Sequence, residues 1–197
     1  MSAALRPDLA VIYDQIAPQS RVLDIGCGDG TLLAALRQDK QVDARGLEID
    51  AANVAAAMGR GLSVVQGDAD TDLADYPAAG FDYAVLSQTL QTTGRPDRIV
   101  ESLLRIASQA FVSFPNFAHW RIRTALFTGG RMPVTRLIPE RWYDTPNIHH
   151  VTIADFEDLI AERGWQVEGR WFLSGDSRTG TAMANLLAEH AVFLLRG

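Results

Sequence analysis

The sequence predicts an α/β fold: a mostly parallel, seven-stranded sheet with helices on both faces and an antiparallel strand at its C-terminal end. Three observations carry this. Short apolar runs alternate with segments of helical apolar spacing from residue 21 to residue 114, the repetition that builds a parallel sheet covered on both sides. A glycine-rich turn, Gly26-Cys27-Gly28-Asp29-Gly30, lies directly between the first strand and the helix after it. Two further apolar runs close the chain and read as an antiparallel pair.

Each element follows from its residues. Leu9, Ile12, Tyr13 and Ile16 recur at helical spacing before Pro18 and predict an amphipathic first helix. Arg21 to Ile25 reads as a buried strand, Thr31 to Arg37 as a helix with Leu32, Leu33 and Leu36 inward, and Ala44 to Leu47 as the second strand. Asp50 is placed to cap a helix through Met58, and Leu62 to Val65 and Tyr83 to Leu86 form the third and fourth strands. Pro96 opens a helix carrying Ile99, Val100, Leu103, Leu104 and Ile106; Ala110 to Phe114 is the fifth strand, stopped by Pro115. Asn116 to His150, rich in aromatic, proline and arginine residues, shows no clean period and reads as an insertion over the sheet's edge. Thr152 and Asp155 then form a T-x-x-D cap, Ile153, Phe156, Leu159 and Ile160 supply a buried stripe, and Gly164 ends the helix. Trp165 to Leu173 and Ala191 to Leu195 are the closing strands.

No composition shift divides the 197 residues, so one domain over 1–197 is expected, carrying the insertion at about 116–150. Hydrophobic residues at 47% and charged residues at 21% argue against disordered or fibrous classes. Eighteen basic against 24 acidic residues give a net charge of −6, which opposes attraction to nucleic acid or anionic lipid, and neither is expected as a partner. Arg121, Arg123, Arg131, Arg136 and Arg141 still leave room for a local basic face. Cys27, the only cysteine, allows no intramolecular disulfide and no multi-cysteine metal site. With no leader-like start and no apolar run of membrane-spanning length, a cytoplasmic location is expected. His149 and His150 point to opposite sides of an extended chain, so no metal is expected there.

The glycine turn carries the chemistry. At a strand end the backbone turns sharply, Gly26 and Gly28 remove Cβ atoms that would keep a ligand away, and the next helix offers unpaired N–H groups. A dinucleotide fingerprint reads G-x-G-x-x-G, whereas this turn reads G-x-G-x-G, and the flanking Asp24 and Asp29 would repel a diphosphate. Carboxylates suit a ligand bearing an ammonium and a sulfonium. Glu48 lies 20 residues beyond Gly28, about the separation at which an acid meets a ribose in nucleotide-binding α/β folds. Asp68 follows the third strand, where its carboxylate can accept from an adenine amino group while Ala69 offers a backbone N–H. Asp50 alone reads as a helix cap, Asp29 as a charge at a helix start, and Cys27 as a side chain small enough to fit.

Val22 to Gly30, with Glu48 and Asp68, resembles the first motifs of the S-adenosylmethionine-dependent methyltransferase superfamily, whose fold is Rossmann-like and usually ends in an antiparallel hairpin. The resemblance implies S-adenosylmethionine or S-adenosylhomocysteine as the cofactor. It places Asp24, Gly26 and Gly28 near the amino-acid part, Glu48 at the ribose, and Asp68 and Ala69 at adenine. Cys27, Ile49 and Ser87 complete the expected cofactor-binding set. Two further segments, Ser113-Phe114-Pro115-Asn116-Phe117-Ala118-His119-Trp120-Arg121 and Tyr143-Asp144-Thr145-Pro146-Asn147-Ile148-His149-His150, are similar to the MetW family of methionine biosynthesis. That resemblance implies work beside a homoserine O-acyltransferase.

Two functions follow as expectations. The first is an accessory or regulatory subunit docking through Phe117, Trp120, Leu126, Phe127, Trp142 and Tyr143, whose types are enriched in interface cores; the same residues can instead close a lid over the cofactor. The second is an active small-molecule methyltransferase with its acceptor under the insertion. No catalytic base is evident: His119, His149, His150 and Tyr143 are the candidates, and His190, before the last strand, reads as structural. No G-x-S-x-G turn is present, so the chain is not expected to be the acyltransferase itself.

Overall fold

The computed structural model describes residues 5–135 and 138–197; Arg136, one of the five insertion arginines, lies outside them. Helix α1 (Pro7–Gln15) leads into β1 (Arg21–Ile25), α2 (Thr31–Lys40), β2 (Asp43–Glu48), α3 (Ala51–Gly59), β3 (Ser63–Gln66) and a short α4 (Ala69–Asp72). Then come β4 (Phe81–Ser87), α5 (Pro96–Ile106), β5 (Ala107–Pro115), α6 (Trp120–Gly129), α7 (Ile153–Arg163), β6 (Gln166–Ser174), β7 (Ser177–Thr179), α8 (Ala184–Leu187) and β8 (His190–Arg196). The sheet order is β3-β2-β1-β4-β5-β8-β6-β7. The pairs among β1 to β5 are parallel, and β8 enters antiparallel to both β5 and β6. This is an α/β Rossmann-like architecture, mostly parallel with an antiparallel C-terminal strand.

All seven expected strands are present. An eighth, β7, pairs Phe172 with Thr179 at the far edge and, at three residues, is too short to leave a sequence pattern. Successive residues of the central strands serve opposite cores. Leu23, Ile25, Ala84, Leu86, Val112 and Phe114 pack against α5 and α7, while Val22, Val85 and Phe111 pack against α1, α2 and α3. Burial on both sides is why these strands read as continuous apolar runs. Phe114, Phe156 and Phe193 interlock between β5, α7 and β8 at ring separations of 4.9 to 6.0 Å.

The caps form as read. Asp50 accepts from the Asn53 N–H at 2.9 Å, and Thr152 accepts from the Asp155 N–H at 3.1 Å while donating to that residue's carboxylate. Strand β5 runs through Pro115, one residue past the expected stop, and His190 is the first residue of β8. The insertion contains a helix, α6, where no period was visible. Only Ile122 of its ten residues is buried, so there is no apolar stripe to read. Among the described residues no helix is long and apolar enough to cross a membrane.

Candidate functional site

The strand order reverses between β1 and β4, and the crevice outside the carboxyl ends of the strands at that reversal is where open α/β sheets place ligands. The glycine turn forms its floor. The N–H groups of Gly26 and Cys27 both donate to the Leu47 carbonyl, folding the turn back over β2. The two glycines differ in what they allow. A Cβ on Gly28, at φ +55°, would meet nothing within 4 Å, so it would stand in the open crevice. A Cβ on Gly26, at φ +70°, would collide with the Thr89 side chain. The absent Cβ of Gly26 therefore makes room for Thr89 in the turn.

Two adjoining lobes make up the crevice. Asp24, Gly26, Cys27, Gly28, Glu48 and Ser87 line one of about 470 Å³. Ile49, Asp68 and Ala69 line the other, of about 300 Å³, and Gly26 and Thr89 face both. All nine residues singled out in the sequence thus come to one strand-end crevice.

Its electrostatics are acidic and mostly satisfied. Buried Glu48 accepts from the Gly28 N–H at 2.7 Å through one oxygen and from the Asp50 N–H at 2.9 Å through the other. Asp29 accepts from the Thr31 N–H and pairs with Arg60 at 2.6 Å, the helix-start role expected of it. Asp68 caps α4 by accepting from the Asp70 N–H. Asp24 is the exception: it is 3% exposed and its Oδ1 has no hydrogen-bond partner among the described residues. Burial, reinforced by Glu48 and Asp8 and only partly offset by Arg6, pushes its carboxyl up to about 8. The same burial, with Asp24 and Glu48 alongside, pushes the Cys27 thiol up to about 12 and keeps it protonated.

Several wall residues left no signal in the sequence. Arg6 and Gln88 line the larger lobe, and Asp8 lies beneath them. Asp8 accepts from the Ser87 and Ser113 hydroxyls at 2.8 and 3.0 Å, contacts separated by 79 and 105 residues in the chain. Burial alone would raise the Asp8 carboxyl, but Arg6 and the two hydroxyls outweigh it and hold it below the usual carboxylate range. Gln88, at φ +55°, carries its amide nitrogen to 3.0 Å from His190 Nδ1. That strained residue, directly after β4, is marked by its backbone and not by its sequence.

The base candidates are elsewhere. His119 is buried and caps α6, and burial lowers its pKa; the His150 ring meets Phe117 edge-on at 4.9 Å; the Tyr143 hydroxyl accepts from Arg141. His149 donates its backbone N–H to the Gln91 carbonyl, and its Nε2 is buried without a partner among the described residues. None of these four lines either lobe. His190, through Gln88, is the histidine tied to the crevice wall. The insertion's apolar residues divide: Phe117 is buried with Ile122 and Ile138, whereas Phe127 is 93% and Trp142 75% exposed. Arg121 stacks on Trp120 at 5.3 Å.

Comparison with known proteins places this geometry. Residues 6–195 match the family model described as methionine biosynthesis protein MetW. The bifunctional methionine biosynthesis protein MetXA/MetW of Rhodopirellula baltica is 34% identical over 167 residues, which cover 80% of this chain and 27% of that relative. The chain therefore spans about a quarter of the relative's length. Among solved structures, an S-adenosylmethionine-dependent methyltransferase from Mesorhizobium loti superposes with a TM-score of 0.71 at 16% identity, covering 97% of this chain and 98% of that one. Another from Archaeoglobus fulgidus gives 0.68 at 16% identity, covering 95% and 90%. At such identities the likeness is one of fold. The match along nearly the whole chain, together with the related segment of the bifunctional protein, is decisive for kinship: this chain belongs to the MetW family of methionine biosynthesis proteins.

Proposed function

We propose that the protein binds S-adenosylmethionine or S-adenosylhomocysteine in the strand-end crevice and acts as an accessory or regulatory subunit of a homoserine O-acyltransferase. The observation that carries the first half is Asp24, a buried carboxyl on the lobe wall with an oxygen that no group of the described residues answers. A buried acceptor left unpaired is costly, and an ammonium group from a ligand supplies the missing donor. The neighbouring groups fit the same ligand. Each Glu48 oxygen spends one lone pair on a backbone N–H and keeps another for a ribose hydroxyl. Ile49, 64% exposed, gives an adenine ring an apolar surface beside Asp68 and Ala69. Bound S-adenosylmethionine supplies an electrophilic methyl group.

The second half rests on the relative whose name joins MetXA to MetW in one protein. Exposed Phe127, Trp142 and Tyr143 offer the aromatic surface such a partnership uses. An active small-molecule methyltransferase is the competing reading, favoured by Pro146, through which the insertion reaches the smaller lobe. Against it, among the described residues no histidine or tyrosine lines either lobe to take an acceptor's proton. The test is a pull-down of the purified protein against the acyltransferase of the same organism, with and without S-adenosylmethionine, followed by the acyltransferase rate. A stable complex with a faster rate is expected. No complex under either condition overturns the partnership, and release of S-adenosylhomocysteine with a small acceptor would establish the alternative.

A further inference from the structure

We infer that Arg6 receives the carboxylate of the ligand's amino-acid end, which makes the crevice selective for a nucleoside carrying an intact α-amino acid. The inference rests on the nucleoside reading above and extends it to recognition of the ligand's far end. An α-amino acid presents an ammonium and a carboxylate within a few bonds of each other. The larger lobe answers the ammonium with Asp24, but Asp24, Asp29 and Glu48 together would repel the carboxylate. Arg6 is the only cationic side chain on that wall among the described residues.

Arg6 is held for the task. Its Nε lies 3.3 Å from Asp8 Oδ1, and its Nη2 donates to the Ser87 hydroxyl at 3.0 Å. Its Nη1 donates to no atom of the described residues. Asp8 is not a competing ligand group, because the hydroxyls of Ser87 and Ser113 and the Arg6 guanidinium already occupy its carboxylate. One edge of the planar guanidinium is thus anchored to the protein and the other is open, the arrangement in which arginine reads a carboxylate. Pro7 opens α1 directly after Arg6, so the anchored end also fixes where the helix starts.

The experiment compares three ligands on the full chain by calorimetry: S-adenosylhomocysteine, its decarboxylated counterpart, and 5′-methylthioadenosine, which lacks the amino-acid part. The wild type is expected to prefer S-adenosylhomocysteine over the decarboxylated ligand by roughly 10- to 100-fold, the range of a hydrogen-bonded charge pair. Arg6→Met should collapse that preference while leaving 5′-methylthioadenosine binding unchanged, and Arg6→Lys should restore part of it. A thermal melt of each variant reports whether α1 stays docked. Equal weakening of all three ligands by Arg6→Met would show that Arg6 only positions α1, and an undiminished preference would show that it does not meet the carboxylate; either overturns the inference. Wild-type protein that binds the three ligands equally sinks it too, with the nucleoside reading left standing. Wild-type protein that binds none of them removes both.

Discussion

The strand-end crevice and the 116–150 insertion treat their side chains in opposite ways. In the crevice, Asp8, Asp24 and Glu48 are buried, and the carboxylates are answered by backbone N–H groups, hydroxyls and arginines, with the Asp24 acceptor left over among the described residues. In the insertion, large apolar side chains face water: Phe127, Trp142, Tyr143 and Ile148 are each more than half exposed. A buried, nearly satisfied polar wall is built for a small polar ligand, whereas exposed aromatic surface is completed by something larger. The two regions meet at one seam. The Ile148 and His149 N–H groups both donate to the Gln91 carbonyl, and Pro146 lines the smaller lobe beside Thr92 and Thr93. If each region has its own ligand, a change in one should leave the other's binding intact.

The largest separation is expected from Phe127→Ala combined with Trp142→Ala. Truncating two aromatic anchors should weaken the acyltransferase complex by at least roughly 100-fold, since interface hot spots cost about 2 kcal/mol or more each. S-adenosylhomocysteine affinity and the melting temperature should hold. A complex of unchanged strength by surface plasmon resonance would remove these rings from the interface. Glu48→Ala is the mirror image: it should weaken S-adenosylhomocysteine by about 1.5 to 3 kcal/mol, the value of hydrogen bonds to a charged group. It also orphans the Gly28 and Asp50 N–H groups, so a lowered melting temperature should accompany it. Calorimetry showing wild-type affinity would take Glu48 out of the site.

What could be read beforehand divides along the same line. Val22 to Gly30, Glu48 and Asp68 are legible because each acts through its place on a strand end, and strands buried on both faces announce themselves as apolar runs. The insertion shows only composition. Helix α6 buries one residue and so carries no period, and the split between buried Phe117 and exposed Phe127 depends on packing that no local pattern encodes. Arg6 was illegible for a different reason. It reaches the crevice through contacts with Asp8 and Ser87, and Ser87 lies 81 residues away. Pairings across that distance follow from the order of β1, β4 and β5 in the sheet, not from any spacing along the chain.

Asp24 offers a smaller, graded effect that belongs to the crevice alone. Its folded-state carboxyl sits at about 8, against about 3.9 in an unfolded chain. Between those values the native protein holds a proton that the unfolded chain has lost. This contribution to stability is therefore complete below about pH 4, declines as pH rises, and is gone above about pH 8. Ligand binding has the opposite slope, because an ammonium favours the ionised carboxylate. The groups facing Asp24 are Arg6, Glu48, Asp8 and Cys27, and of these only Arg6 favours its charged form. S-adenosylhomocysteine affinity should climb by up to about tenfold between pH 6.5 and 7.5, with a proton released on binding, and Asp24→Asn should flatten the climb. A pH-independent affinity for the wild type would mean that Asp24 does not meet the ammonium.

Cys27 should give the smallest effect, and its smallness is informative. It sits between Gly26 and Gly28 on the lobe wall, where a nucleophile or redox group would draw attention, yet burial and the adjacent Asp24 and Glu48 hold its thiol at about 12. Thiolate is the reactive form, so almost none is present at pH 8. Cys27→Ala removes one sulfur from a site that packs against Gly46, and S-adenosylhomocysteine affinity should change by less than about 0.5 kcal/mol. Iodoacetamide at pH 8 should alkylate the folded protein far more slowly than the guanidinium-unfolded chain. Rapid alkylation of the folded protein would mean that the carboxylates around the turn do not set the thiol's charge state, and the acidic account of the crevice would then fail at its centre.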